Sequence, residues 1–289
     1  MSKYLDPKAD LTFKKIFGRH PNLVISLLNA ILPFPKGMEI VSVEYLSNDN
    51  VPDNPGKKYS IVDVNCTDNF GRHFIVEMQS YWNTEFFPRT LFNVTSAYSR
   101  QLAKGSSFGE LKDVYALCLV NDIKAFPEYG GEYLQEYYLT NKNHPADHRT
   151  DLSIFFFILP NFKPQNRAEQ KMHDLWLRFL TEIDENTIDA SPDFLANPDT
   201  KQALDILLTS AFTDDELRAY HKYWLDVSTE RSALEKEYTK GHAQGHAQGL
   251  AEGEKKALLA TARNAKSMGL PTDQIALLTG LTPAEIAAL

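Results

Sequence analysis

The stretch that leaves the chain fewest options runs from Ser60 to Gln79, SIVDVNCTDNFGRHFIVEMQ. It reads as two short strands around a turn, with Asp63 on the first strand and Glu77 and Gln79 on the second. Side chains alternate along a strand, so Val62, Val64 and Cys66 share one face and Asp63 and Asn65 the other. On the return strand Phe74, Val76 and Met78 share one face, opposite Ile75, Glu77 and Gln79. Asn69-Phe70-Gly71 fits a hairpin loop that a glycine closes in the left-handed region. That register pairs Asp68 with Arg72 and sets Asp63 opposite Glu77, with β-carbons roughly 5 Å apart. Two carboxylates so placed repel unless a cation lies between them, and a hard divalent ion such as Mg2+ suits oxygen donors. The same pattern also fits a solvated strand face on which the acids are incidental.

Either side of the hairpin the chain alternates helix and strand. Asp10 to Gly18 predicts a short helix with Leu11, Phe13, Ile16 and Phe17 on its apolar side. Pro21 opens a second, which Pro33 and Pro35 end. Glu39 to Leu46 reads as a strand, and Asn48 to Gly56 as a polar loop. Glu85 to Lys104 predicts a long helix burying Phe86, Leu91, Phe92, Val94, Tyr98 and Leu102. Asp113 to Val120 and Leu152 to Leu159 are apolar runs suited to interior strands. The expectation is an α/β sandwich with the hairpin in the middle of its sheet.

From Arg167 onward the pattern is helical, with helices expected at Asp174 to Ile183, Thr200 to Leu208 and Asp214 to Tyr238. Gly241, Gly245, Gly249 and Gly253 then recur four residues apart. Such glycines line one side of a helix and permit close approach of a second, at about 1 kcal/mol each relative to alanine. They equally suit a flexible hinge, which is the reading adopted. His242 and His246 have the spacing of a zinc-binding pair, with no third ligand beside them. Three short helices with glycine turns close the chain. They resemble a helix-turn-helix, but PAEIAAL has no base or amide side chain to read base edges. Assembly into a homo-oligomer is the expected role of this region.

The chain of 289 residues is 43% hydrophobic, with a net charge of −8 and a pI near 5.5. That acidity excludes a stoichiometric nucleic-acid coat and leaves room for a nuclease with local basic groups. Lys14, Lys15, Arg19, Lys57, Lys58 and Arg72 are the candidates to guide a phosphate backbone. Cys66 and Cys118 lie in apolar runs and read as small core residues. No apolar run is long enough to span a membrane, and MSKYLDPKAD lacks the apolar core of a signal peptide, so a cytoplasmic location is expected.

The segment Asp10-Leu11-Thr12-Phe13-Lys14-Lys15-Ile16-Phe17-Gly18, then Asp63, then Val76-Glu77-Met78-Gln79, resembles the recombination-promoting nuclease (Rpn) family. That family comprises transposase-like members of the PD-(D/E)XK nuclease superfamily. The resemblance is clear over 1–165 and implies a restriction-endonuclease-like sandwich with a central mixed sheet. With an all-α C-terminal region after it, the expected divisions are 1–165, a helical region 166–240, a glycine-repeat hinge 241–253 and a small helical tail 254–289. It implies Asp63 and Glu77 as metal ligands, with Asp10 as an additional acid, and Mg2+ as cofactor, replaceable by Mn2+. Gln79 stands at the position of the motif lysine. It has no charge and cannot act as a base, but it can hydrogen-bond the attacking water or a phosphate oxygen. Arg89, Tyr98 and Gln101 on the following helix, with Lys14 and Lys15, are the expected substrate contacts. The implied activity is endonucleolytic cleavage of DNA with low sequence specificity, in recombination, mobile-element or defence processes. The alternative is an idle relative that acts as an interaction module through its helical tail.

Overall fold

A computed structural model describes residues 3–47, 49–50, 60–164 and 171–289. Lys57, Lys58 and most of the expected 48–56 loop lie outside these residues. Helices α1 (Asp10–Phe17) and α2 (Pro21–Ile31) precede strands β1 (Val43–Tyr45), β2 (Asp49–Asn50), β3 (Ser60–Ile61), β4 (Val64–Asp68) and β5 (His73–Gln79). Helix α3 (Phe86–Ser99) follows, then β6 (Val114–Val120), β7 (Leu134–Asn141) and β8 (His144–Ile158). Helices α4 (Lys171–Glu182), α5 (Pro192–Ala196), α6 (Pro198–Ile206), α7 (Asp214–Ser267), α8 (Thr272–Thr279) and α9 (Pro283–Ala287) complete the chain.

Six strands form one mixed sheet in the order β1-β4-β5-β6-β8-β7, while β2 and β3 pair separately. The β5–β6 and β6–β8 pairs are parallel and the other three antiparallel. Alternation then divides the apolar side chains between two cores. Val64, Cys66, Phe74, Val76, Met78, Leu117, Leu119, Phe155 and Phe157 pack with α1, α2, α4 and α6. Ile75, Ala116, Cys118, Val120, Ile154, Phe156 and Ile158 pack with Phe86, Val94 and Ala97 of α3. The result is a helix–sheet–helix sandwich, with both cysteines free and buried.

The hairpin has the expected register: Val64 faces Val76 and Thr67 faces His73. Gly71 adopts φ +77°, and Asp68 and Arg72 close the turn. The Asp68 carboxylate accepts the N–H groups of Phe70 and Arg72, both at 2.9 Å, and the Arg72 Nε–H at 2.7 Å. The guanidinium also donates to the Met38 carbonyl and lies over the Phe34 ring. Arg72 is therefore a buried brace of the turn and not a surface group that meets phosphate.

Other expectations change. Val62 belongs with Ile75 in the second core, because the chain bends at Asp63 and the alternation restarts there. The strand expected at Glu39 to Leu46 is only Val43–Tyr45, since Asn29 captures both the N–H and the carbonyl of Ile40 with its amide. In α3 the buried side is Phe86, Thr90, Asn93, Val94 and Ala97, whereas Leu91 and Phe92 are 43% and 39% exposed. The edge strand β7 has no clean alternation in its sequence, LQEYYLTN, and was not foreseen.

The chain divides into two compact units, Met1–Val227 and Ser228–Leu289. A boundary at 165/166 does not separate two cores. Trp176, Phe179, Phe194, Leu204 and Leu207 pack in the same core as Phe13, Phe17 and the sheet. The glycine repeat is helical, within α7, and no atom of the described residues approaches the open side of any of its four glycines. The second unit has a small core of its own, Ala262, Ala265, Ile275, Leu281 and Ile286. Its last helix carries a capping box between Thr282 and Glu285. Among the described residues no helix is long and apolar enough to cross a membrane.

The Gly71 conformation gives a test of the turn. Gly71→Ala is expected to cost about 1–2 kcal/mol in denaturant unfolding, because a β-carbon is strained at this φ and would meet the Lys112 side chain at 3.4 Å. Gly71→Asn should cost less.

Candidate active site

The candidate site lies where β4 begins and β5 ends. The β4–β5 ladder stops at Val64 and Val76, and just beyond it the Asp63 side chain turns back. Its Oδ2 accepts the Met78 backbone N–H at 2.8 Å. Its Oδ1 lies 3.4 Å from the Lys14 ammonium of α1, which also meets Asp10 at 2.5 Å. Asp10 and Lys14 are one helical turn apart, so α1 presents them together.

Glu77 is a buried acid on β5, facing α3. Its Oε1 accepts a hydrogen bond from the Asn93 amide at 3.3 Å. Burial and the neighbouring Asp63 charge push the Glu77 carboxyl up to about 8, against the opposing pull of Arg89, Asn93 and Lys14. Asp63 is also raised, chiefly by burial, with the Met78 N–H and Lys14 working against it. On Lys14 burial is outweighed by Asp10 and Asp63, so the ammonium keeps its proton more firmly than usual. Burial opposes the ionisation of both acids, the Asp63 charge opposes that of Glu77 and the Asp10 charge that of Asp63, which leaves a site short of positive charge.

Gln79 ends β5 with both ends of its amide engaged. Its Oε1 accepts from the Arg89 guanidinium at 2.9 Å, and its Nε2 donates to the Tyr81 carbonyl at 2.7 Å. Arg89 in turn lies over the Phe86 ring. Asp63, Glu77, Gln79, Lys14 and Arg89 are thus brought to one place, with Asp10 at its margin.

Three expected contacts are engaged elsewhere. Lys15 pairs with Glu216 at 3.1 Å and lies over the Phe212 ring, tying α1 to the start of α7. Both ends of the Gln101 amide bond the Lys112 backbone, at 2.9 and 2.7 Å. Tyr98 packs against the core between α3 and the sheet. Sequence reading missed Asn93. Its signal was a polar pair, Thr90 and Asn93, at helical spacing with Phe86 and Ala97.

The donor set suits a hard cation, because two carboxylates supply oxygen ligands and unbalanced negative charge. Among the described residues no group of three His, Cys, Asp or Glu side chains is placed to hold a metal ion. Mg2+ keeps several of its waters, so a site of Asp63 and Glu77 alone remains suited to it. Asp10 does not complete a triad, and its carboxylate is held by Lys14. Neither His242 nor His246 belongs to such a group.

Glu77 also sets how stability depends on pH. The folded chain holds the Glu77 proton up to about pH 8, whereas the unfolded chain releases it in the ordinary glutamate range. Stability should therefore fall as pH rises between those limits. With EDTA present, Glu77→Gln is expected to flatten that slope and to raise Tm at pH 8 by about 5 °C. Thermal melts across pH 5 to 9 measure both.

A family model described as PD-(D/E)XK nuclease family transposase matches residues 7–236. The match reaches past the sheet into α4, α5, α6 and the start of α7, the part of the chain that shares its core with α1 and α2. No curated protein and no solved structure matches the chain. The mixed sheet between helical layers accords with the family match, and the chain belongs to the PD-(D/E)XK nuclease family transposases.

Proposed function

We propose that this chain is a Mg2+-dependent endonuclease that hydrolyses DNA phosphodiester bonds with low sequence specificity. What carries the reading is the pair of buried carboxylates, Asp63 and Glu77, both raised chiefly by burial and Glu77 further by the Asp63 charge, where a cation would relieve both. Asp63 and Glu77 would hold the metal, which when bound lowers the pKa of water and offsets phosphoryl charge. Lys14, beside Asp63, provides a fixed positive charge toward a phosphate oxygen. The Arg89 guanidinium, steadied by Gln79, does the same on the α3 side. Asn93 orients the Glu77 carboxylate. Gln79 positions the nucleophile through its amide while it holds Arg89.

Low specificity follows from the composition of the tail. PAEIAAL carries one acid and no base or amide side chain to read base edges, and the cations at the acids recognise phosphate. A role in recombination, mobile-element movement or defence is consistent with cleavage of that kind.

Plasmid nicking with and without Mg2+ tests the reading. The wild-type chain should nick only with metal, and Asp63→Asn or Glu77→Gln should lower the rate by at least about 100-fold. Lys14→Met should lower it roughly 10-fold or more. Equal nicking by Asp63→Asn, or none by a folded wild-type chain, overturns the proposal. Parallel RNA substrates decide the backbone, with DNA expected to be cut faster.

The exposed glycine side of α7 supports a second proposal, that the chain self-associates through residues beyond 214. Light scattering should give an oligomer for the full chain and a smaller species when residues after 240 are removed. A monomer in both cases refutes it.

A further inference from the structure

The start of α7 packs beside the candidate site, within the first compact unit. Phe212, Leu217, Tyr220, Tyr223 and Trp224 gather around Leu5, Ala9 and Leu11 next to α1. The Tyr220 hydroxyl accepts the Asp6 N–H at 3.0 Å. One helical turn on, the Tyr223 hydroxyl lies 2.6 Å from the hydroxyl of Ser80. Ser80 is buried and directly follows Gln79 at the end of β5.

Resting on the nuclease reading above, we propose that Tyr223 is a positioning residue of the acid site: its bond to Ser80 fixes the end of β5 that carries Gln79. The neighbouring links converge on the same short segment. Gln79 bonds Arg89 and the Tyr81 carbonyl, and the Trp82 N–H donates to Asp122 at 2.9 Å. The Ser80 link comes from beyond the sheet and its α3 layer. It ties the Gln79–Arg89 pair to a helix that continues into the second unit. Burial raises the Tyr223 phenol above its usual range, as do the charges of Asp10 and Asp63, while the bond to Ser80 works against them.

Tyr223→Phe removes one hydroxyl and keeps the ring that packs beside Trp224. Measured on the full chain with Mg2+ and a fluorogenic duplex, it should lower kcat about tenfold while KM moves less than twofold. Ser80→Ala should give a similar loss. The double variant should be no worse than either alone, as expected when both act through one bond. Asp63→Asn, run alongside, reports on the parent reading, because a wild-type chain no faster than Asp63→Asn defeats that reading and not this one in particular. With Asp63→Asn inactive, wild-type kcat in Tyr223→Phe overturns the positioning role. So does a loss that adds to that of Ser80→Ala, or one matched by a Tm fall large enough to unfold the chain at the assay temperature.

Discussion

The hydrogen bond from the Met78 backbone N–H to the Asp63 carboxylate holds the bend at which β4 begins. At that point a regular hairpin would continue its ladder. The chain bends instead, and a side chain takes over the bond that the next residues of β4 would have made. Three consequences follow from the single bend. Val62 swings into the core under α3, the Asp63 carboxylate comes within reach of Lys14 on α1, and Glu77 is left facing a second acid. A carboxylate that accepts a backbone N–H is held more firmly than one pointing into water, and that partly offsets the cost of burying it.

How much of this was legible in the sequence depended on whether the determining contacts were local. The register of the hairpin was readable because its turn residues, Asp68 through Arg72, specify it by themselves. The strands β6 and the end of β8 were readable because burial on both faces leaves an uninterrupted apolar run. The bend at Asp63 was not, since a strict alternation of two predicts Val62 on the wrong side and nothing in VDVN marks the break. The buried face of α3 was misread for a related reason. Leu91 and Phe92 looked like core by residue type, while the helix turns Thr90 and Asn93 inward, where Asn93 meets Glu77. Tyr223 lies 143 residues from Ser80, and no pattern of spacing announces a contact of that separation.

The boundary at 165 failed on energetic grounds. The sheet has two apolar faces, and α3 covers one of them. The other needs more surface than α1 and α2 supply, so Trp176, Phe179 and Leu180 of α4, with Phe194 and Leu204, complete it. At about 25 cal/mol per Å2, leaving those side chains in water would forfeit several kcal/mol, comparable with the net stability of a whole domain. The helices after the sheet are therefore part of the nuclease unit, as the extent of the family match to residue 236 also implies.

Glutamine at 79, where the family resemblance implies a lysine, makes physical sense once its neighbour is named. A lysine at 79 would set an ammonium against the Arg89 guanidinium, and two like charges so close would drive each other apart. A glutamine offers a carbonyl oxygen, which Arg89 uses at 2.9 Å, so the positive charge on this side of the site is carried by α3. Its counterpart is Lys14, carried by α1 and shared between Asp10 and Asp63. The acids sit between two cations on separate helices, and neither cation belongs to the strand that carries Glu77. Moving a cation off β5 keeps its charge near the acids and ties its position to helix packing. In this chain the electrostatics of the site therefore depend on how α1 and α3 pack against the sheet.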